Sequence, residues 1–307
     1  MSNYLGNIFN ITLPVFIIIV IGFVVGKIFK KNDFDIASKI AFFIFAPAMT
    51  IHVVRSGNIV FKTLGKLAII FIIIQLILAL FIYLLSRISK NNEISYKVHL
   101  LTVLFTNCGY YGFPIVLLTY GEEGLLIAVG YVLLFNLMTA TLGVFVASSD
   151  KLSFKQSLIQ MLKIPLIYAF TVGLLLNIYK ITLPNLVESA LTSLNNAAIP
   201  ILLIVLGLEL SKIEIKSHIK DVSLLVGERL ILGPTISFFL LLLFPFVSGL
   251  TAKVIILESA MPTAFNSMLL AKELGGKYKT VAATVFLSTL LSPITLSFYI
   301  YLLSVYF

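Results

Sequence analysis

Two long apolar segments of this sequence are each interrupted near the centre by polar residues, glycine and proline. The first interruption covers residues 106–114 (TNCGYYGFP), and the second covers residues 258–267 (ESAMPTAFNS). Proline removes a backbone donor and clashes with the preceding turn, so a helix is predicted to break at each place. In an apolar medium the freed backbone groups are costly unless protein, water or a ligand satisfies them.

The chemistry expected at such breaks is recognition of a carboxylate. Two broken helices that cross would present the N-termini of their second halves, whose free N–H groups and partial positive charge suit an anion. The amides of Asn107 and Asn266 can bond a carboxylate without adding charge. The alternative is that both asparagines only satisfy broken backbone and that the interruptions are simple kinks. The binding hypothesis assigns ten substrate-contacting residues: Asn107, Cys108, Gly109, Tyr110, Tyr111, Pro114, Pro262, Thr263, Asn266 and Ser267.

Four further polar residues in apolar segments are assigned to coupling or charge balance, because ionisable groups inside a membrane are costly and commonly functional. Glu258 lies one helical turn before Pro262 and can either carry a proton or pair with Arg229. Arg229 can instead attract an anion. Glu228 is adjacent to Arg229 and so faces a different direction. Gln75 occupies the place in the first half of the chain that Glu228 occupies in the second.

The elements that position these residues are predicted to be ten transmembrane helices, since about 20 apolar residues cross a bilayer. The fold class is therefore all-α integral membrane, with a single transmembrane domain of residues 1–307. The first apolar run lacks a basic leader and a cleavage site, so we expect a retained helix rather than a signal peptide. The predicted spans are about 8–29, 36–54, 67–86, 98–120, 124–147, 160–179, 186–210, 221–247, 252–273 and 280–306.

Composition supports the membrane assignment. Of the 307 residues, 60% are hydrophobic and only 11% charged, whereas soluble domains carry about 25% charged residues. The net charge of +9 does not indicate nucleic-acid binding, because sixteen of the 22 Lys and Arg residues fall in or near the loops of one membrane side and five on the other. The positive-inside rule then predicts a multi-pass protein of the cell membrane with both termini outside.

The two halves of the chain are predicted to be inverted repeats, about 1–150 and 151–307. Pro47 and Pro200 are 153 residues apart, and Pro114 and Pro262 are 148 apart. A repeat of five helices has an odd number of spans, so its second copy is upside down, with broken helices 4 and 9 crossing at the midplane.

Four segments carry a resemblance to the auxin efflux carrier family, which includes plant carriers and bacterial malate or malonate carriers, with a fold similar to bile acid:sodium symporters. These segments are residues 13–16, 45–48, 107–114 and 261–266. The resemblance implies a scaffold of helices 1, 2, 6 and 7, a transport unit of helices 3–5 and 8–10, and a homodimer formed through helices 2 and 7. It implies carriage of a small organic anion, such as a mono- or dicarboxylate or an indole acid. Unlike plant relatives, this chain joins helices 5 and 6 by about a dozen residues.

The sequence argues against several other classes. It contains no Walker, zinc-protease or hydrolase motif, its three histidines are dispersed, and its single cysteine allows no intramolecular disulfide. We therefore expect no enzyme, no metal site and no cofactor, and rank a channel below a transporter. The coupling ion stays open: uniport or exchange comes first, proton coupling second, and a sodium-coupled symporter of the bile acid type is the alternative.

Overall fold

A computed structural model describes residues 2–29, 34–59, 61–88, 96–143, 159, 162–214, 219–273 and 277–307. Within these ranges nearly every residue is helical, and the extended backbone pairing consists of a single bridge between Thr106 and Thr263. An all-helical chain is what a bilayer favours, because each helix satisfies its own backbone N–H and C=O groups.

Thirteen α-helices lie in the described ranges. In chain order, α1 to α13 are Ser2–Phe29, Phe34–Ile40, Ala46–Ser56, Phe61–Ile88, Tyr96–Val103, Phe113–Met138, Pro165–Ile178, Asn185–Ser211, Ile219–Gly227, Gly233–Leu243, Gly249–Ser259, Phe265–Glu273 and Tyr278–Tyr306. Four single π-helical turns adjoin these helices, and they are Ala41–Phe45, Cys108–Gly112, Thr139–Gly143 and Glu228–Leu232. The π-helical turns at Ala41–Phe45 and Glu228–Leu232 join α2 to α3 and α9 to α10, so each joined pair forms one longer rod.

Seven helical stretches in the described part of the chain are long and apolar enough to cross a membrane. They are Thr12–Phe29, Asp35–Ser56, Phe61–Arg87, Cys108–Thr141, Asn185–Ser211, Ile219–Leu243 and Tyr278–Tyr306. The other predicted spans are helical but shorter or interrupted: α7 has 14 residues, α11 and α12 are separated by residues 260–264, and α5 ends at Val103. The predicted boundary between helices 4 and 5 is a sharp bend at Gly121, whose φ of 68° is outside the range that helices allow.

The helices pack in two groups. The first group contains α1, α2, α3, α7 and α8, with α1 lying along α8 and α3 along both α7 and α8. The second group contains α4, α5, α6 and α9 to α13, with α6 against α11 and α13 against α9 and α12. Contacts of α1 with α6 and α13 join the groups.

Close backbone approach holds α1 against α8. A Cβ atom added to Gly22 would collide with the carbonyl oxygen of Ile204, and one added to Gly207 would collide with the carbonyl oxygen of Ile19. Membrane helices associate through such small residues, because lipid supplies no hydrophobic force between them. Asn177 connects the C-terminal end of α7 to the C-terminal end of α3. Its amide donates to the carbonyls of Arg55 at 2.7 Å and Gly57 at 2.8 Å.

Candidate functional site

The two interrupted helices meet and complete each other's backbone hydrogen bonding. The N–H of Asn107 donates to the carbonyl of Pro262 at 2.8 Å, and the N–H of Ala264 donates to the carbonyl of Phe105 at 2.8 Å. These two bonds form the antiparallel bridge between Thr106 and Thr263. The breaks therefore leave fewer free backbone groups than two separate kinks would, and the crossing is one connected element.

Side chains reinforce the crossing. The hydroxyl of Thr263 donates to the carbonyl of Thr102 at 2.8 Å, and the N–H of Thr263 donates to the hydroxyl of Ser288 at 3.1 Å. Pro262 lies within the break itself, whereas Pro114 lies in the first turn of α6. Pro114 thus belongs to a helical stretch that begins with the π-helical turn Cys108–Gly112 and runs to Thr141. The break predicted over residues 106–114 overlaps the observed one: α5 ends at Val103, and helical backbone resumes at Cys108.

A cleft opens beside the crossing, between the two helix groups. Five of the ten residues predicted to bind substrate line it, and they are Asn107, Cys108, Gly109, Tyr110 and Asn266. Its remaining wall comes from aromatic, aliphatic and small polar residues that include Phe42, Phe105, Phe113, Phe135, Asn136 and Phe265. No charged side chain is among the described residues that line this cleft.

The other five predicted residues lie behind the cleft wall. Tyr111 is fully buried and its hydroxyl accepts a hydrogen bond from Ser292 at 3.1 Å. Thr263 is bonded within the crossing, and Pro114, Pro262 and Ser267 are buried without reaching the cleft. The structure therefore places these five where they shape the crossing rather than where they line the cleft.

Asn107 is the polar side chain best placed to meet a ligand. It is 4% exposed, and its amide nitrogen has no hydrogen-bond partner among the described residues. A buried donor without a partner costs about 1–3 kcal/mol. Asn266 is exposed in the cleft, in the first turn of α12, where backbone N–H groups also lack helical partners. One acceptor between the two asparagines would satisfy groups from both broken helices.

The cleft continues into a charged mouth. Tyr110, Phe265 and Asn266 also line a second cavity, whose rim carries two acidic and two basic residues, Asp35, Lys39, Glu209 and Lys212. The Lys212 ammonium donates to Asp35 at 3.0 Å and to Glu209 at 3.2 Å. Burial lowers the pKa of Lys212, but these hydrogen bonds outweigh burial and raise it above its usual value.

Two of the charged residues assigned to coupling or charge balance, Arg229 and Glu258, do not pair with each other. Arg229 and Glu258 are both fully buried, yet they form no ion pair in the described part of the chain. The Arg229 guanidinium donates to three backbone carbonyls instead, and neither oxygen of Glu258 has a hydrogen-bond partner among the described residues. Glu258 packs so closely on Gly112 that a Cβ atom there would collide with its carboxylate. Of the two alternatives left open for Glu258, the pair with Arg229 is therefore not formed in the described part of the chain.

Glu228 has a partner that the sequence did not identify. Its carboxylate lies 2.7 Å from Nδ1 of His99, and both side chains are buried. The pair connects α5 to the π-helical turn after α9. Gln75, at the corresponding place in α4, is buried with no partner for its side-chain oxygen in the described residues. The sequence held a signal for this pair, since His99 and Glu228 are both polar residues inside apolar segments.

A helical membrane protein whose two interrupted helices cross beside a cleft has the construction of a transporter. The sequence pattern of the family described as Membrane transport protein matches residues 7–300, and the chain belongs to this family. The resemblance to auxin efflux carriers is thereby confirmed, and the chain is a membrane transporter, not an enzyme.

Two relatives from archaea show the same similarity. An uncharacterized transporter of Methanocaldococcus jannaschii is 27% identical over 299 residues, which cover 94% of this chain and 96% of the relative. An uncharacterized transporter of Methanothermobacter thermautotrophicus is 28% identical over 190 residues, and these cover 62% of this chain and 62% of the relative. The chain thus matches less than two thirds of that second relative's length.

Proposed function

We propose that this chain is a secondary or facilitative transporter that moves a small organic anion across the cell membrane by alternating access. The observation that carries the proposal is the cleft at the crossing. There the unpartnered amide of Asn107 and the exposed amide of Asn266 lie beside the first turns of two half-helices. Amides and helix N-termini bind a carboxylate without burying a permanent counter-charge.

The cleft wall narrows the substrate class. Its six aromatic side chains suit an apolar body, while its polar groups are few and uncharged. A second carboxylate would be buried there without a cation, which is costly. Among mono- and dicarboxylates we therefore favour a monocarboxylate with an apolar or aromatic body, such as an indole acid, over malate or malonate.

The proposed architecture is ten transmembrane helices in two inverted repeats of five. Its support comes from the two spans that cross. The fourth predicted span corresponds to α5 and the part of α6 before Gly121, and the ninth corresponds to α11 and α12. Both termini would lie outside the cell, and the charged mouth near Lys39 and Lys212 would open to the cytoplasm.

A homodimer through α2, α3 and α8 remains part of the proposal. Apolar side chains on these helices are exposed, and Ile36, Phe43 and Leu186 are 62%, 57% and 84% accessible. In a membrane such a face contacts either lipid or a second copy. Crosslinking of cysteines placed at position 186 in the membrane distinguishes the two, because lipid contact gives no dimer.

The test of the main proposal is uptake into liposomes that contain the purified protein. The substrate panel pairs each acid with its neutral amide and includes an indole acid, lactate, malonate, a neutral sugar and an organic cation. We expect saturable uptake and counterflow for the indole acid and not for its amide. Uptake confined to sugars or cations contradicts an anion carrier, and unsaturable flux without counterflow indicates a channel.

The sodium-coupled organic anion symporter stays as the second candidate, because the unpartnered Glu258 carboxylate is a group that a cation could neutralise. Uptake driven by an imposed sodium gradient at clamped membrane potential, and lost in Glu258→Gln, would favour it. Uptake that follows an imposed pH gradient only while Glu258 is present would favour proton coupling.

A further inference from the structure

Arg229 is the largest fully buried side chain described in the molecule, and it lies against the crossing. Its Nε donates to the carbonyl of Met261 at 2.9 Å, and its two terminal nitrogens donate to the carbonyls of Val103 and Ser259. All three acceptors are backbone atoms, and they come from both interrupted helices. The guanidinium therefore connects the two helices at a point where neither continues.

Two of these acceptors end helices. Val103 is the last residue of α5 and Ser259 the last residue of α11, while Met261 lies in the break after α11. The last carbonyls of a helix have no partner in it and carry the negative end of the helix dipole. Converging carbonyls from half-helix C-termini are the ligands with which transporters hold sodium. Here a guanidinium fills that position.

The guanidinium of Arg229 is hydrogen-bonded to these carbonyls rather than to an acid. In the described part of the chain no carboxylate forms an ion pair with it, and neighbouring Glu228 is bonded to His99. The polar side chains of the same region are Cys108, Tyr131, Ser237, Ser259 and Tyr299, and the fully buried Glu258 lies near Cys108 and Tyr131 without bonding to the guanidinium. An arginine is suited to this place because its planar group carries five donors and keeps its charge when buried.

We propose that Arg229 is a positioning residue that serves as a built-in cation of the crossing. It occupies the carbonyl site that an alkali-metal ion would otherwise fill, so the crossing forms without bound sodium. Its removal leaves a site of three carbonyls for a small monovalent cation. The transport arm of the test rests on the proposed function, whereas the stability arm needs no substrate.

The test compares Arg229→Ala with wild type in thermal unfolding and in liposome uptake. We expect Arg229→Ala to lower the maximal uptake rate about 10- to 100-fold, the effect of losing one charged hydrogen bond or more. Millimolar guanidinium, far below denaturing concentrations, should restore part of both the rate and the unfolding temperature. Urea, which has the same shape without the charge, should restore neither. Arg87→Ala, which removes an exposed arginine, is the matched control and should respond to neither compound.

Two further measurements test the proposal even if Arg229→Ala does not fold. Wild-type protein should unfold at the same temperature in sodium, potassium and choline chloride, because its cation is covalently attached. Arg229→Lys should be intermediate, since an ammonium keeps the charge but lacks the fork that reaches two helices. The proposal is overturned if sodium specifically stabilises the wild type, if Arg229→Ala matches wild type in both measurements, or if guanidinium acts no differently from urea. If no acid in the panel is transported but the unfolding results are as expected, the proposed substrate class is rejected and the role of Arg229 is not.

Discussion

Asn107 donates its backbone N–H to the carbonyl of Pro262, while its side-chain amide nitrogen has no hydrogen-bond partner among the described residues and lies beside the cleft. One residue thus fastens the first broken helix to the second and leaves a hydrogen-bond donor free for a ligand. Because the backbone bond does not involve the side chain, the two roles can be separated by mutation.

Asn107→Ala and Asn266→Ala should weaken substrate binding while the protein stays folded. A lost hydrogen bond to a charged group costs about 1.5–3 kcal/mol, so the affinity should fall about 10- to 150-fold. Equilibrium binding of the transported acid to the purified protein measures this loss, and Asn196→Ala on the exposed side of α8 is the control. Wild-type affinity in both cleft variants would contradict direct contact.

Pro262→Ala should reduce transport more than stability. Alanine permits α11 to continue by one turn, which would compete with the bridge between Thr106 and Thr263. We expect a lower maximal rate with an unfolding temperature near that of wild type. Pro14→Ala, within α1 and away from the crossing, should leave the rate unchanged. Normal transport by Pro262→Ala would show that the interruption is incidental.

Phe135→Ala should discriminate among substrates. Phe135 stacks edge-on against Phe105 in the cleft wall, with ring centroids 6.0 Å apart. Aromatic contacts contribute about 0.5–1.5 kcal/mol beyond their area, so affinity for an indole acid should fall about 2- to 10-fold. Lactate should be affected less because it has no ring to stack. Equal losses for both acids would argue against an aromatic substrate, and Phe298→Ala on an exposed face is the control.

Replacing each of two buried glutamates by glutamine should affect the stability of the protein differently. Glu228→Gln replaces the charged partner of His99 and should lower the free energy of unfolding by about 1–3 kcal/mol. Glu258→Gln changes a carboxylate that has no hydrogen-bond partner in the described part of the chain, and it should leave stability unchanged or raise it. Thermal unfolding of the two variants side by side makes each the control of the other. Equal destabilisation would mean that Glu258 has a partner.

Membrane orientation can be tested by cysteine labelling in a Cys108→Ser background. An impermeant reagent should label Thr182→Cys, in the exposed turn between α7 and α8, from outside intact cells. Ser153→Cys, which lies outside the described residues, should be labelled only after permeabilisation. Labelling of position 153 from outside would rule out the proposed inverted repeats.

Sequence reasoning located the crossing because glycine and proline at apolar centres leave few alternatives to a broken helix. It could not predict the partners of Arg229. An arginine inside an apolar helix indicates that a partner exists, but not whether that partner is a carboxylate or a backbone carbonyl. Tyr111 shows a second limit. Its neighbour Tyr110 lines the cleft, whereas Tyr111 is buried and bonded to Ser292, and the sequence alone does not indicate which of two adjacent tyrosines faces the cleft.

The contact of Gly22 and Gly207 with opposing carbonyl oxygens also limits how this protein can vary. At most packed positions a larger residue can be accommodated by a smaller one across the interface. Here the atoms in the way are backbone, which no substitution removes, so neither glycine has a compensating partner. Libraries that diversify the cleft can therefore leave these two positions fixed, and a loss of function at either one reports on helix spacing rather than on substrate recognition.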